Sequence, residues 1–207
     1  MKPAQADTLP FTGFSASVST GVGLGLTYIR AERGDFRFSL PLGDLGGSVY
    51  SVSLGYTVPI ERWRLGVAVS GSLASLSGRY RFGSPELGFT TGLDIDRLAT
   101  ARVELGYVPH EQWYVYGFAG RALARGTVSG EILTPFGKVG ASRDGYSFGT
   151  VAGLGIEYQF NSNFSLFGEA AHYSYAGDRQ VCWQQYCQRF DIEAESDTIV
   201  LGVRVRF

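Results

Sequence analysis

The feature that most restricts what this chain can fold into is an alternation of apolar with small or polar residues, period two, that recurs from near its start to its last residue. Val18, Thr20, Val22, Leu24, Leu26 and Tyr28 fall on one face of an extended segment, with Ser17, Ser19, Gly21, Gly23, Gly25 and Thr27 on the other. Tyr50, Val52, Leu54, Tyr56 and Val58 alternate in the same way with Ser51, Ser53, Gly55 and Thr57. The stretches 63–70, 99–107 and 148–158 repeat the rule. Successive side chains of a strand point to opposite faces, so a sustained period of two predicts strands. No segment has a comparable helical period, and no apolar run reaches the ~20 residues of a membrane-spanning helix. The chain reads as all-β.

The last ten residues carry the pattern to its end. Ile199, Leu201, Val203, Val205 and Phe207 share one face; Thr198, Gly202, Arg204 and Arg206 share the other, with Val200 the apolar exception. Connections between the alternating stretches come in two sizes. Short ones lie at 59–62, 108–112 and 161–163, and long ones at 31–47, 77–92, 126–145 and 176–196. Three short and four long connections join eight strands, and their strict alternation puts all short turns at one end. The expected fold is an eight-stranded antiparallel up-and-down β-barrel over residues 13–207, preceded by a segment, 1–12, on the short-turn side. Within that segment Ala4-Gln5-Ala6 looks like the tail of a signal-peptide cleavage site, an expectation that the export signal is absent.

Which face meets lipid follows from charge. An Arg or Lys on the lipid face costs roughly 2–4 kcal/mol at the bilayer midplane. The apolar faces carry no charge over their central parts, whereas the opposite faces are assigned Arg64, Arg102, Glu104, Arg121, Glu157, Glu169, Arg204 and Arg206 among many Gly and Ser. These eight are expected to form a charge network inside a closed or very narrow lumen, since an interior eight strands wide is just filled by side chains. Trp63, Tyr107, Trp113, Tyr158, Phe160, Phe164 and Phe207 cluster beside the short turns, where an interfacial aromatic girdle belongs. On this orientation Leu154→Arg should impair assembly while the inward Gly153→Ser should be mild. The competing arrangement is a soluble barrel of the lipocalin type with the apolar face inside. It leaves a surface of mostly Gly, Ser and Ala, where soluble proteins carry about 25–35% charged residues. A net charge of -1 gives no reason to expect nucleic acid as a partner.

The terminal stretch Gly202-Val203-Arg204-Val205-Arg206-Phe207 resembles the signal by which the barrel-assembly machinery recognises outer-membrane proteins, with Gly202, Val205 and Phe207 at its spaced positions. With the eight-strand layout, the chain from about Phe14 onward resembles the small outer-membrane barrel superfamily that includes OmpA-type, OmpX-type and opacity-type proteins. The resemblance implies a Gram-negative outer-membrane location, both termini in the periplasm, contact with membrane lipid and lipopolysaccharide, and no cofactor. It implies a structural or surface-interaction role through the exterior loops, with a small porin-like channel as the alternative.

Two further features bear on chemistry. Cys182 and Cys187, with four residues between them, lie in the longest loop, facing an oxidising exterior, which predicts a structural disulfide; no His or further Cys stands nearby to complete a metal site. His172-Tyr173-Ser174 resembles the His-x-Ser pair of lipid A 3-O-deacylases, in which His activates Ser for attack on an ester. With Glu169 inward, His172 and Ser174 turn toward lipid, and an orienting acid could come from Glu195 or Asp197 on the last strand. That family continues with Asn where this chain has Tyr175.

Overall fold

A computed structural model describes residues 9–33, 36–84, 88–135, 137–183 and 186–207, with side chains described outside 27–43 and 176–193. Eight antiparallel strands close into one barrel in sequence order. They are β1 (Gly13–Arg33), β2 (Phe36–Ile60), β3 (Trp63–Gly83), β4 (Gly88–His110), β5 (Trp113–Thr134), β6 (Gly137–Gln159), β7 (Phe164–Trp183) and β8 (Tyr186–Arg206). Closure is by β1 against β8, from Ser15↔Arg206 to Ala31↔Phe190.

The apolar faces point outward: Val18, Val52, Leu54, Val67, Val69, Leu154, Ile199 and Leu201 are all exposed. In water this would be an apolar belt far beyond the few hundred Å² that soluble monomers leave uncovered. A lipocalin-type barrel has the opposite orientation and is excluded. Aromatic pairs ring the short-turn end, with ring centroids 5.2 Å apart for Trp63 and Tyr107, 4.9 Å for Trp113 and Tyr158, and 4.7 Å for Phe14 and Tyr56.

The four long connections expected as loops are corrected by the ladder. β1 and β2 stay paired to Arg33↔Phe36, β3 and β4 to Gly83↔Gly88, β5 and β6 to Thr134↔Gly137, and β7 and β8 to Trp183↔Tyr186. The strands are 20 to 25 residues long, about twice the 9–11 needed to cross a bilayer. Alternation faded in these stretches because water replaces lipid outside the barrel, and an outer face in water has no reason to stay apolar. The apolar side then turns inward. On β3 the faces keep their parity through the register shift between Leu73 and Leu76: odd positions from Trp63 to Arg79 stay outward, and it is the apolar residues that change from odd, as at Leu73 (65% exposed), to even, as at Leu76 (1%). On β4 the shift between Ile95 and Arg97 inserts Asp96 and exchanges the two faces: Thr91, Leu93 and Ile95 are buried on one side of it, Leu98 and Thr100 on the other. Leu45, Val49, Leu76, Leu93, Ile95 and Leu98 accordingly form an apolar core inside the outer part of the barrel, where the sequence reading placed a polar lumen.

The wall also divides. The β2–β3 ladder ends at Gly46↔Ser77 and the β6–β7 ladder at Gly149↔Tyr175, whereas β8–β1 and β4–β5 continue far beyond. Past these points two four-stranded sheets, β3 to β6 and β7-β8-β1-β2, rise from opposite sides of the barrel.

Candidate functional site

The inward faces of β4, β6, β7 and β8 bring charged residues together in the half of the lumen nearest the short turns. Arg102 makes a two-pronged contact with Glu169, Nη1 donating to Oε2 at 2.8 Å and Nη2 to Oε1 at 2.6 Å, and its Nε donates to Glu104 Oε1 at 2.8 Å. Arg204 Nη1 donates to Glu157 Oε2 at 2.8 Å and its Nη2 reaches Glu169 Oε1 at 3.4 Å. Arg206 donates to both Glu157 oxygens, at 2.9 Å to Oε2, and Ser165 Oγ also donates to Glu157. Three guanidinium groups therefore meet three carboxylates, and Glu169 joins the two clusters into one neutral network. The desolvation of six charges is offset only because nearly every donor has an acceptor in place.

Aromatic rings fill the remaining space. The Arg102 guanidinium lies 4.1 Å from the Phe118 ring centroid, Arg204 4.7 Å from Phe167, and Arg206 5.1 Å from Phe11. Tyr116 Oη donates to Glu169 Oε1 at 2.7 Å, and its ring stacks on Tyr114, which stacks on Phe11. Phe11 is buried, so the segment assigned to the periplasm enters the barrel mouth at 9–12; Ala4-Gln5-Ala6 lies outside the described residues. The rings rest on glycines. A Cβ on Gly155 would come 2.3 Å from Tyr116, and one on Gly153 2.4 Å from both Phe118 and the Ala170 carbonyl. Gly153→Ser is therefore not the mild change the alternation implied.

Two assignments to the charge network need correction. Arg64 is buried at 2% exposure but donates to the carbonyls of Pro10, Glu61 and Trp63, tying the N-terminal segment to the β2–β3 turn, with no carboxylate partner among the described residues. Arg121 faces outward and is exposed. On β5 it is Tyr114, Tyr116, Phe118, Ala122 and Ala124 that are buried. Both faces of β5 are apolar, so hydrophobicity could not assign them; counting in steps of two from Trp113 puts Arg121 with the outward set. Tyr114, Tyr116 and Phe118 were missed for the same reason, and Phe11 because segment 1–12 was expected outside the barrel.

The second candidate is on the outer wall. His172 Nδ1 donates to Asp197 Oδ1 at 2.7 Å, and both side chains are exposed. The register is His172↔Asp197 and Ser174↔Glu195, so the acid beside the histidine is Asp197 and not Glu195. Ser174 lies two positions along the same face, about 7 Å away by strand geometry, and among the described residues no hydrogen bond joins it to His172. Cys182 and Cys187 are direct partners in the β7–β8 ladder; their side chains lie outside the described residues, and the disulfide remains an expectation. Among the described residues no cluster of metal-ligating side chains occurs.

A family model described as outer membrane protein beta-barrel domain matches residues 3–207. The chain is similar in structure to the outer membrane protease OmpT from Escherichia coli, at 12% identity and TM-score 0.55, covering 97% of this chain and 99% of that one. Neisserial surface protein A gives 16% identity and TM-score 0.47 over 95% and 98% of the two chains. OprG from Pseudomonas aeruginosa gives 9% and 0.46 over 97% and 100%. Identities this low speak to fold alone. No curated protein sequence matches.

Proposed function

This chain belongs to the outer membrane protein β-barrel domain family, and from that premise we propose that it is a closed surface protein of the bacterial outer membrane, whose barrel anchors without conducting and whose two outer sheets meet a partner outside the cell. The observation that carries this reading is the blocked lumen. Arg102, Arg204 and Arg206 with Glu104, Glu157 and Glu169 span its inner half, Phe11 fills its mouth, and Leu76, Leu93 and Ile95 pack its outer half. An ion would have to displace paired charges and then cross an apolar layer, each of which resists passage. The outer sheets support the second part. A 23-residue strand such as β4 rises roughly 60 Å at a tilt of about 40°, against an apolar band of about 25 Å. More than half of each strand is thus free to meet something beyond the membrane.

Planar-bilayer recording tests the anchor. The wild type is expected to give no current steps, while Arg102→Ser combined with Phe118→Ala, which empties the middle of the plug, is expected to give small ones. Reproducible steps from the wild type would replace this reading with the channel.

The His172–Asp197 contact favours a second reading, an ester hydrolase acting on membrane lipid. Asp197 fixes the imidazole and leaves Nε2 free; with Ser174 drawn within hydrogen-bond reach, its proton would pass to Nε2 as its oxygen attacks the acyl ester, the sugar alcohol would leave with that proton, and water would then cleave the acyl-enzyme to release a fatty acid and regenerate the serine. Mass spectrometry of lipid A incubated with the folded protein decides it. Loss of one acyl chain, abolished by both His172→Ala and Ser174→Ala, would make the protein an enzyme; intact lipid A would dismiss the reading.

A further inference from the structure

We propose that the outward face of β3, β4 and β5 binds a diphosphorylated, multiply acylated saccharide lipid of the outer leaflet, with Arg97, Arg121 and Arg125 on its phosphates and its chains in the groove over Gly71. The inference is independent of whether the lumen conducts. Arg97 and Arg125 are direct cross-strand partners, both on the outward face. Like charges placed opposite one another on a sheet repel, and an anion between them removes the repulsion. The protein supplies little of that anion itself. Asp96 and Asp144 approach Arg97 and Arg125 only to 4.0 Å, and among the described residues no carboxylate pairs with Arg121.

Their heights match a lipid headgroup. Arg125 is twelve residues beyond Trp113 along β5, and Arg97 ten residues before Tyr107 on β4. With a rise of about 3.3 Å per residue and a tilt of about 40°, these lie roughly 25–30 Å above the aromatic girdle, at the outer edge of an apolar band of about 25 Å. Arg121 lies roughly 20 Å up, within reach of the same headgroup because its long stem can run along the wall while the guanidinium turns toward the interface. Guanidinium forks match phosphate oxygens in pairs.

Below them the wall is hollow. A groove of about 720 Å³ lies between Tyr50, Val52, Leu73, Ala99 and Leu123, and a Cβ added at Gly71 meets nothing within 4 Å. A second hollow of about 620 Å³ continues past Arg121 and Ala101 toward Phe14. Together they hold acyl chains directly beneath the basic rim. Glu195 and Asp197 face outward on β8, so the acidic side of the barrel repels the phosphates that the β4–β5 side attracts.

Native mass spectrometry of the full chain in detergent, titrated with diphosphoryl lipid A, tests the site. The expected result is one retained lipid per protein, at least about tenfold weaker in the Arg97→Gln/Arg125→Gln variant. Gly71→Leu, whose side chain enters open space, should weaken it comparably while the protein still shows heat-modifiable gel mobility; Arg62→Gln, on a short turn, should leave it unchanged. Equal retention by wild type and both groove variants would overturn the proposal. So would equal binding of phosphatidylglycerol or of dephosphorylated lipid A, because recognition would then not require the paired phosphates.

Discussion

Glu157→Gln is expected to lower the unfolding free energy of the barrel by about 3–5 kcal/mol, the cost of leaving buried charge unpaired. Glu157 is fully buried and accepts from Arg204, Arg206 and Ser165 at once. The substitution keeps the shape and removes the charge, so two guanidinium groups on β8 are left facing a neutral amide that brings donors of its own. Urea unfolding in detergent, followed by heat-modifiable gel mobility, measures the loss. Adding Arg206→Met should restore part of it, since removing both members of a buried pair is far less costly than removing one. A change below about 1 kcal/mol, the range of solvated pairs, would mean that water reaches these groups. That result would also undercut the closed lumen.

Leu154→Arg is expected to cost about 2–4 kcal/mol and to cut outer-membrane yield sharply. Leu154 is 69% exposed on the outer face of β6, between Gly117 on β5 and Ala170 on β7. Five residues from the strand's inner end at Gln159, it sits about 13 Å into the band, near its middle. Leu154→Ile is the control and should assemble normally. Gly153→Ser should also be damaging, for the opposite reason: the added atoms run into Phe118 and the Ala170 carbonyl. Normal yield of Leu154→Arg would contradict the lipid-facing assignment of this wall.

The two variants mark what alternation conveys. It tells which of two neighbours faces lipid, and it does so wherever the two solvents differ, as along 148–158. It does not tell what stands across the lumen. Gly106, Gly153, Gly155 and Gly202 read as bare positions that make room, and each lies against a ring, of Tyr114, Phe118, Tyr116 and Phe167 respectively. Alternation was silent on β5, apolar on both faces, and Arg121 was placed inside for that reason.

The eight strands, their order, the lipid-facing side, the short-turn end and the inward positions of Arg102, Glu104, Glu157, Glu169, Arg204 and Arg206 were all legible in the sequence, because a bilayer imposes one solvent rule on every residue it touches. Where that rule lapsed, tertiary structure decided the outcome. Strand pairing continues through the stretches expected as loops, since backbone hydrogen bonding does not depend on side-chain polarity. A bulge at Asp96 exchanges the two faces of β4. Which carboxylate meets which guanidinium, Asp197 rather than Glu195 beside His172, and the placing of Arg97 opposite Arg125 depend on register between strands, set by ladder geometry and closure of the barrel, not by any residue read alone.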